Sequence, residues 1–322
     1  MAGQPQRGDI RDQVRQGLSE TRTTVLGGQI LLGFQYEALF QTGFPKLSPA
    51  RQDLQLWAFI LILAAIVLMI APASFHQLSE RGESTEGQRR AIRALIPLSL
   101  APFAVGVGLN VLIGPGMAMG WALAGVAAAV VVLGAFFLWY GMELIAMRRR
   151  ADSMSGERPS AAPPQKSLKD EVADLMTETR IVLPGAQALL GFQFIGYLSE
   201  GYAHLSTPGR IGHGIALAAL LVSMVLLMTP APFHRLAEDG HETERLRRLT
   251  VRMIVAALAA LAVAFAADLF VAIEIVTRST DLALGGGLAA AAAIAAVWFV
   301  WPLSRRGRAG VAGAALGHRR SV

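Results

Sequence analysis

The stretch Glu20–Tyr36, ETRTTVLGGQILLGFQY, returns as Glu178–Phe194, ETRIVLPGAQALLGFQF. A second pair keeps the same spacing. APASFHQLSERGESTEGQRR starts at Ala71 and TPAPFHRLAEDGHETERLRR at Thr229, each 158 residues after its counterpart with no gap. A period this long, held over most of the chain, is the mark of a duplicated structural unit. The repeated segment is mostly apolar, yet each copy carries two glutamines, Gln29 and Gln35 or Gln187 and Gln193. The surroundings of those amides decide what the segment can be.

Hydrophobic residues make up 53% of the 322-residue chain and charged residues only 16%, against roughly 25% charged in ordinary soluble domains. Runs such as LQLWAFILILAAIVLMIAPA from Leu54 and WALAGVAAAVVVLGAFFLWY from Trp121 match the ~20 apolar residues needed to cross about 30 Å of hydrocarbon. The composition and repeat predict an all-α polytopic membrane protein with eight spans. These run approximately Thr24–Gly43, Leu54–Ser74, Leu95–Ile113, Trp121–Ile145, Ile181–Glu200, Ile211–Ala231, Met253–Val276 and Leu282–Leu303. The predicted organisation is a basic tail over 1–18, a four-helix unit over 19–147 and a Pro-, Ser- and charge-rich linker over 148–174. A second four-helix unit follows over 175–304, then a basic tail over 305–322. Four spans per unit is an even number, so the units are expected to run parallel about an axis along the membrane normal.

The pI near 10.3 raises the question of nucleic acid, which the placement of charge answers. On this map 25 of the 29 Lys and Arg fall on one side, leaving only Lys46, Arg51, Arg210 and Arg278 on the other. The positive-inside rule then places both termini in the cytoplasm. The basic charge is a topology signal, and no nucleic-acid partner is expected. The polar start of the chain does not read as a cleavable signal. There are no cysteines, so disulfides and thiolate sites are excluded. No nucleotide loop, nucleophile elbow or zinc helix motif stands out, so neither enzyme activity nor a cofactor or metal is expected.

Counting 1.5 Å per residue from the cytosolic helix ends, Gln29 and Gln187 fall about 8–9 Å deep. Gln35, Gln193, Glu37, Asn110 and Asp268 fall at roughly 17–23 Å. A polar group at such depth needs company. For the amides one reading is helix–helix glue, each worth about 1 kcal/mol; the other is a lining of oxygen ligands for a cation. Asp268 either pairs internally, keeps its proton, or binds and releases H⁺ or Na⁺. Asn110 stands 158 residues before it, so the repeats differ at that point. The middles of the fourth and eighth spans lack polar residues, so those spans are expected to face lipid, with Trp139, Tyr140, Trp298 and Trp301 in interfacial belts. The first, third, fifth and seventh spans are expected to line the centre. On the cytosolic side, His76 with Glu80 and His234 with Glu238 are i, i+4 pairs. They could begin a metal site, or form a salt-bridge knot with Glu20, Arg22, Glu178 and Arg180.

The pattern ETR.VL.G.Q.LLGFQ[FY] followed by AP..FH.L.E.G..TE resembles the bacterial domain of unknown function 6328 family. Its members are typically small four-helix membrane proteins with one such unit, and some are labelled sodium:proton antiporters. The match covers Glu20, Thr21, Arg22, Gln29, Gly33, Phe34, Gln35, Pro72, Phe75, His76 and Glu80, with their partners at +158. The resemblance implies a tandem duplication and, as an expectation, monovalent cation or proton transport. The alternative is a membrane scaffold or stress-linked assembly protein whose polar residues only lock helices together.

Overall fold

The computed structural model describes residues 25–79, 86–141, 168–236 and 243–305, with backbone alone for 76, 79, 86–93, 114–119, 168–181 and 236. Among the described residues all regular structure is helical. Helix α1 covers 25–38. It is followed by α2 (Pro49–Ser79), α3 (Glu86–Met119), α4 (Trp121–Phe136), α5 (Leu168–Leu198), α6 (Thr207–Met228), α7 (Glu244–Thr277) and α8 (Thr280–Ala295). Both α4 and α8 run on into a single π turn, Phe137–Gly141 and Ala296–Val300. Six helices among the described residues are long and apolar enough to span a membrane. The apolar part of α5, Val182–Leu198, is shorter.

Several helices exceed the spans expected from hydropathy. α3 starts at Glu86 rather than Leu95, α7 at Glu244 rather than Met253, and α5 continues back to Leu168. The added turns of α7 carry Arg245, Arg247 and Arg248, with Glu244 bonded to Arg247 at 2.7 Å. Hydropathy marks where hydrocarbon begins, whereas charged residues of good helix propensity carry the helix on into water. At 34 residues, α7 is about 51 Å long, well beyond a ~30 Å hydrocarbon core.

One turn recurs at the 158-residue offset, whereas the side-chain caps shown belong to the second half. Ser206 and Ser279 cap α6 and α8 by accepting from Gly209 and Leu282, and Thr243 caps α7 by accepting from Leu246. Gly120 and Arg278, one offset apart, are the two described residues with positive φ (81° and 55°). Both open the tight turn before the last helix of their stretch. Glycine takes that conformation without the Cβ penalty that Arg278 bears.

The packing corrects the expected arrangement. α2 and α7 are the central helices, each 61% buried in its apolar window, whereas α4 is 6% buried. α7 packs on α2, α5, α6 and α8, and α2 on α3, α7 and the π turn after α8. α1 lies across the junction: Gly28 faces Ile66 of α2 and Phe103 of α3, and Gly33 lies under the Phe192 ring of α5. The expectation that the third span lines the centre is therefore not met; α2 takes that place. α4 faces outward as expected, but the end of α8 does not. Trp298 is fully buried, its indole N–H donating to the Val67 carbonyl at 2.8 Å and its carbonyl accepting from the Ser74 hydroxyl. The π turn adds a residue to the helical cycle, and Trp298 packs into the α2–α7 groove against Phe265. The contact is one-sided, and the chemistry shows why. The equivalents of Trp298 and Ser74 are Tyr140 and Pro232; Tyr140 spends its hydroxyl on Pro97 of its own neighbourhood, and Pro232 has none to give.

Candidate functional site: a buried polar cluster between α1, α5, α6 and α7

Asp268 lies on α7 and is 3% exposed. Its carboxylate accepts a hydrogen bond from the Gln193 amide of α5. The Tyr36 hydroxyl of α1 lies 2.8 Å from His213 Nδ1 on α6. The far nitrogen of that ring, Nε2, is 3.1 Å from the Gln193 backbone carbonyl. Four helices thus converge on four buried polar side chains, one of them from the first half of the chain.

Each member is positioned by its helix. Gly196 gives the His213 ring room beside α5. Tyr36 stacks parallel to His213 with centroids 5.9 Å apart, Tyr197 meets the ring edge-on at 4.5 Å, and Tyr202 and Phe40 close the remaining sides. Beyond that aromatic wall, Arg210 lies over the Tyr202 ring at 5.8 Å. The Gly201 N–H donates to the Phe40 carbonyl at 3.0 Å, tying the end of α1 to the turn after α5. Asp268 stands nine residues from the end of α7, and His213 six residues after the start of α6. At 1.5 Å per residue these are about 14 and 9 Å from the same end of the bundle.

Two further carboxylates lie toward that end. Glu37 accepts from Gln41 and from Ser199 at 3.1 Å. Glu274 is 6% exposed and accepts from Ser206 at 2.5 Å and Thr280 at 3.1 Å, close to Gly209. It sits against the first turn of α6, where a helix start favours negative charge.

The other residues singled out by sequence are dispersed. Gln35 is buried with neither amide atom partnered. Gln29 is fully buried and also unpartnered, its amide pressed on Gly185 of α5. Its counterpart Gln187 is exposed. Asn110 donates to the Gly106 carbonyl of its own helix at 2.8 Å. In the cytosolic group, Glu20, Arg22, Glu80 and Glu238 lie outside the described residues, as do the side chains of His76, Glu178 and Arg180. His234 is half-buried. Among the described residues no three His, Cys, Asp or Glu side chains form a metal-holding group.

Tyr36 and His213 were the residues the sequence reading missed. A signal existed for His213: it is a lone polar residue in an apolar run, and its counterpart 158 residues earlier, Gln55, is polar too. Aligning the halves exposes the contrast. Gln193, His213 and Asp268 in the second stretch stand where the first has Gln35, Gln55 and Asn110. One copy is ionisable; the other is all amide.

The model of a family of unknown function, DUF6328, matches residues 10–143 and again 163–302. The chain belongs to this family. The two matched stretches contain α1 to α8, and the polar cluster takes residues from both. No curated protein and no solved structure matches the chain.

Proposed function

We propose that this DUF6328 chain is a membrane transport protein that moves H⁺ or a monovalent cation such as Na⁺, with Asp268 as the exchanging carboxylate. One observation carries the reading. Asp268 is buried in the apolar core of a candidate span, and its hydrogen-bond partner is the Gln193 amide; among the described residues no cation pairs with it. A bare carboxylate in such a medium costs several kcal/mol. It therefore holds a proton or a cation, and releasing one is the elementary act of an ion pathway.

In this reading the chain has eight spans in two parallel four-helix units, with both termini in the cytoplasm of a bacterial inner membrane. The double match to one family model and the paired positive-φ turns at Gly120 and Arg278 support the duplication, and the 25-to-4 split of basic residues supports the orientation. The cysteine-free sequence makes this directly testable. Single cysteines at Ser155 and Ser321 should react with an impermeant maleimide only in inverted vesicles, and those at Thr42 and Asp281 only in right-side-out ones. Labelling of all four from one side would refute the topology.

The functional test uses the purified chain in proteoliposomes. A pH gradient should drive Na⁺ or K⁺ flux, and Asp268→Asn should abolish it while preserving the hydrogen bond to Gln193 and the fold. Unchanged flux in the variant removes Asp268 from the pathway. A parent with no flux favours the scaffold reading.

A further inference from the structure

We infer that the second half of the chain carries a site for an anionic phospholipid. A cleft between α6 and α8, floored by α7, takes an acyl chain, and Arg245, Arg248 and Arg252 hold the headgroup. This site is independent of Asp268, which lies toward the other end of α7.

One face of α7 is open over residues 245–263. Arg245, Arg248, Arg252, Ala256, Ala259 and Val263 are all exposed, although α7 is one of the two most buried helices of the bundle. Their spacing of three and four residues puts them on a single stripe. The neighbouring helices show where that stripe ends. Gly212 of α6 and Gly287 of α8 both lie against Phe270, so the two helices close over α7 there. Toward the arginine end they part. Ser223 of α6 donates to the Ala257 carbonyl at 2.9 Å, and Trp298, at the end of α8, packs on Phe265. At 3.6 residues per turn Ala257 and Phe265 each lie roughly 140° around α7 from the stripe, one on either side. The space between is a wedge-shaped cleft, closed at Phe270 and open at the arginines. The small side chains of Ala256 and Ala259 keep its floor low.

Dimensions and charge select the occupant. From Arg252 to Val263 the floor runs about 16 Å, close to the ~15 Å depth of one hydrocarbon leaflet. The apolar part of α7 begins at Met253, so Arg252, Arg248 and Arg245 step outward from the hydrocarbon edge through the headgroup layer. Glu244 engages Arg247 at 2.7 Å and Arg248 at 3.8 Å; among the described residues no carboxylate pairs with Arg245 or Arg252. The Arg245 guanidinium rests over the Phe233 ring at 5.4 Å, which leaves its N–H groups for an anion. Guanidinium forks match the paired oxygens of a phosphodiester. Charge needed for topology alone has no reason to line up with an open apolar stripe. In the first half, the positions of Arg245, Arg248, Arg252 and Ala256 hold Gly87, Arg90, Ala94 and Leu98. Two of the three arginines are gone and a bulky side chain replaces Ala256, so the site belongs to the second half.

The test uses the full chain, delipidated in detergent, with native mass spectrometry to measure bound lipid. Phosphatidylglycerol should bind at least about tenfold more tightly than phosphatidylcholine with the same acyl chains, since each arginine near a headgroup is worth about fivefold. Arg245→Gln with Arg252→Gln should remove most of that preference and leave phosphatidylcholine unchanged. Ala256→Leu with Ala259→Leu fills the exposed floor; it should weaken phosphatidylglycerol by at least about threefold while the melting temperature of the lipid-free protein holds. Equal binding of the two lipids would overturn the site, as would an arginine variant that keeps the parent's preference. Binding unmoved by the leucine pair would reduce the contact to diffuse surface charge and overturn the cleft. Displacement of the lipid by glycerol 3-phosphate at equal concentration would assign the arginines to a soluble phosphate instead. Asp268→Asn should change none of these results, so the lipid site stands or falls apart from transport.

Discussion

Trp298→Ala is expected to cost about 3 kcal/mol of stability in detergent or bicelles, the lower end of the ~3–5 kcal/mol that aromatic truncation costs in soluble cores. The lower figure applies because lipid is as apolar as a protein core, so the water-transfer part of the penalty shrinks and packing dominates. What remains is large. The indole is fully buried in the α2–α7 groove, touches Phe265, and donates to the Val67 carbonyl. Removing it leaves a void where the two halves of the chain meet. Trp298→Phe separates the contributions: most of the volume stays and one hydrogen bond goes, for a loss of about 1 kcal/mol. Unfolding titrations of both variants measure the difference. Equal, negligible losses would show that the halves are held elsewhere.

The second large effect is Gly201→Ala. A Cβ at residue 201 would run into the backbone of Phe40, and the same glycine donates its N–H to the Phe40 carbonyl. Backbone cannot step aside as a side-chain tip can, so the substitution should cost at least ~3 kcal/mol, the upper end of ordinary overpacking. It should also pull Tyr36, four residues before Phe40, away from His213. Gly191→Ala is the control, since a methyl there meets nothing within 4 Å; removing a helical glycine should be neutral or stabilising by up to ~1 kcal/mol. If the two variants unfold alike, the Gly201 contact is not the clasp inferred here.

The helical class and the relatedness of the two halves were legible because hydropathy and a 158-residue period are local properties of the chain. Asp268 and Gln193 could be singled out for the same reason: polar atoms in an apolar run are conspicuous wherever they point. Which faces meet was not legible. Gln29 and Gln187 occupy the same motif position, yet one is sealed against Gly185 and the other is exposed. The contact between halves is one-sided, and no single-helix pattern encodes that. Trp298 read as an interfacial anchor because an aromatic residue at a helix end usually is one; the π turn and its two hydrogen bonds put it inside instead. Tyr36 looked like one more aromatic residue until α6 of the other half supplied its partner.

The contrast between Gln35, Gln55, Asn110 and Gln193, His213, Asp268 is one that only a covalently joined pair can keep. Were each half a separate, identical polypeptide meeting its twin, every substitution would arrive in duplicate, and acid and amide would always appear in equal numbers. Joining them in one chain lets one half lose its charge-bearing groups while still lending Tyr36 to the half that kept them. The cost of a second buried acid is avoided, and Asp268 has no acidic counterpart in the first half.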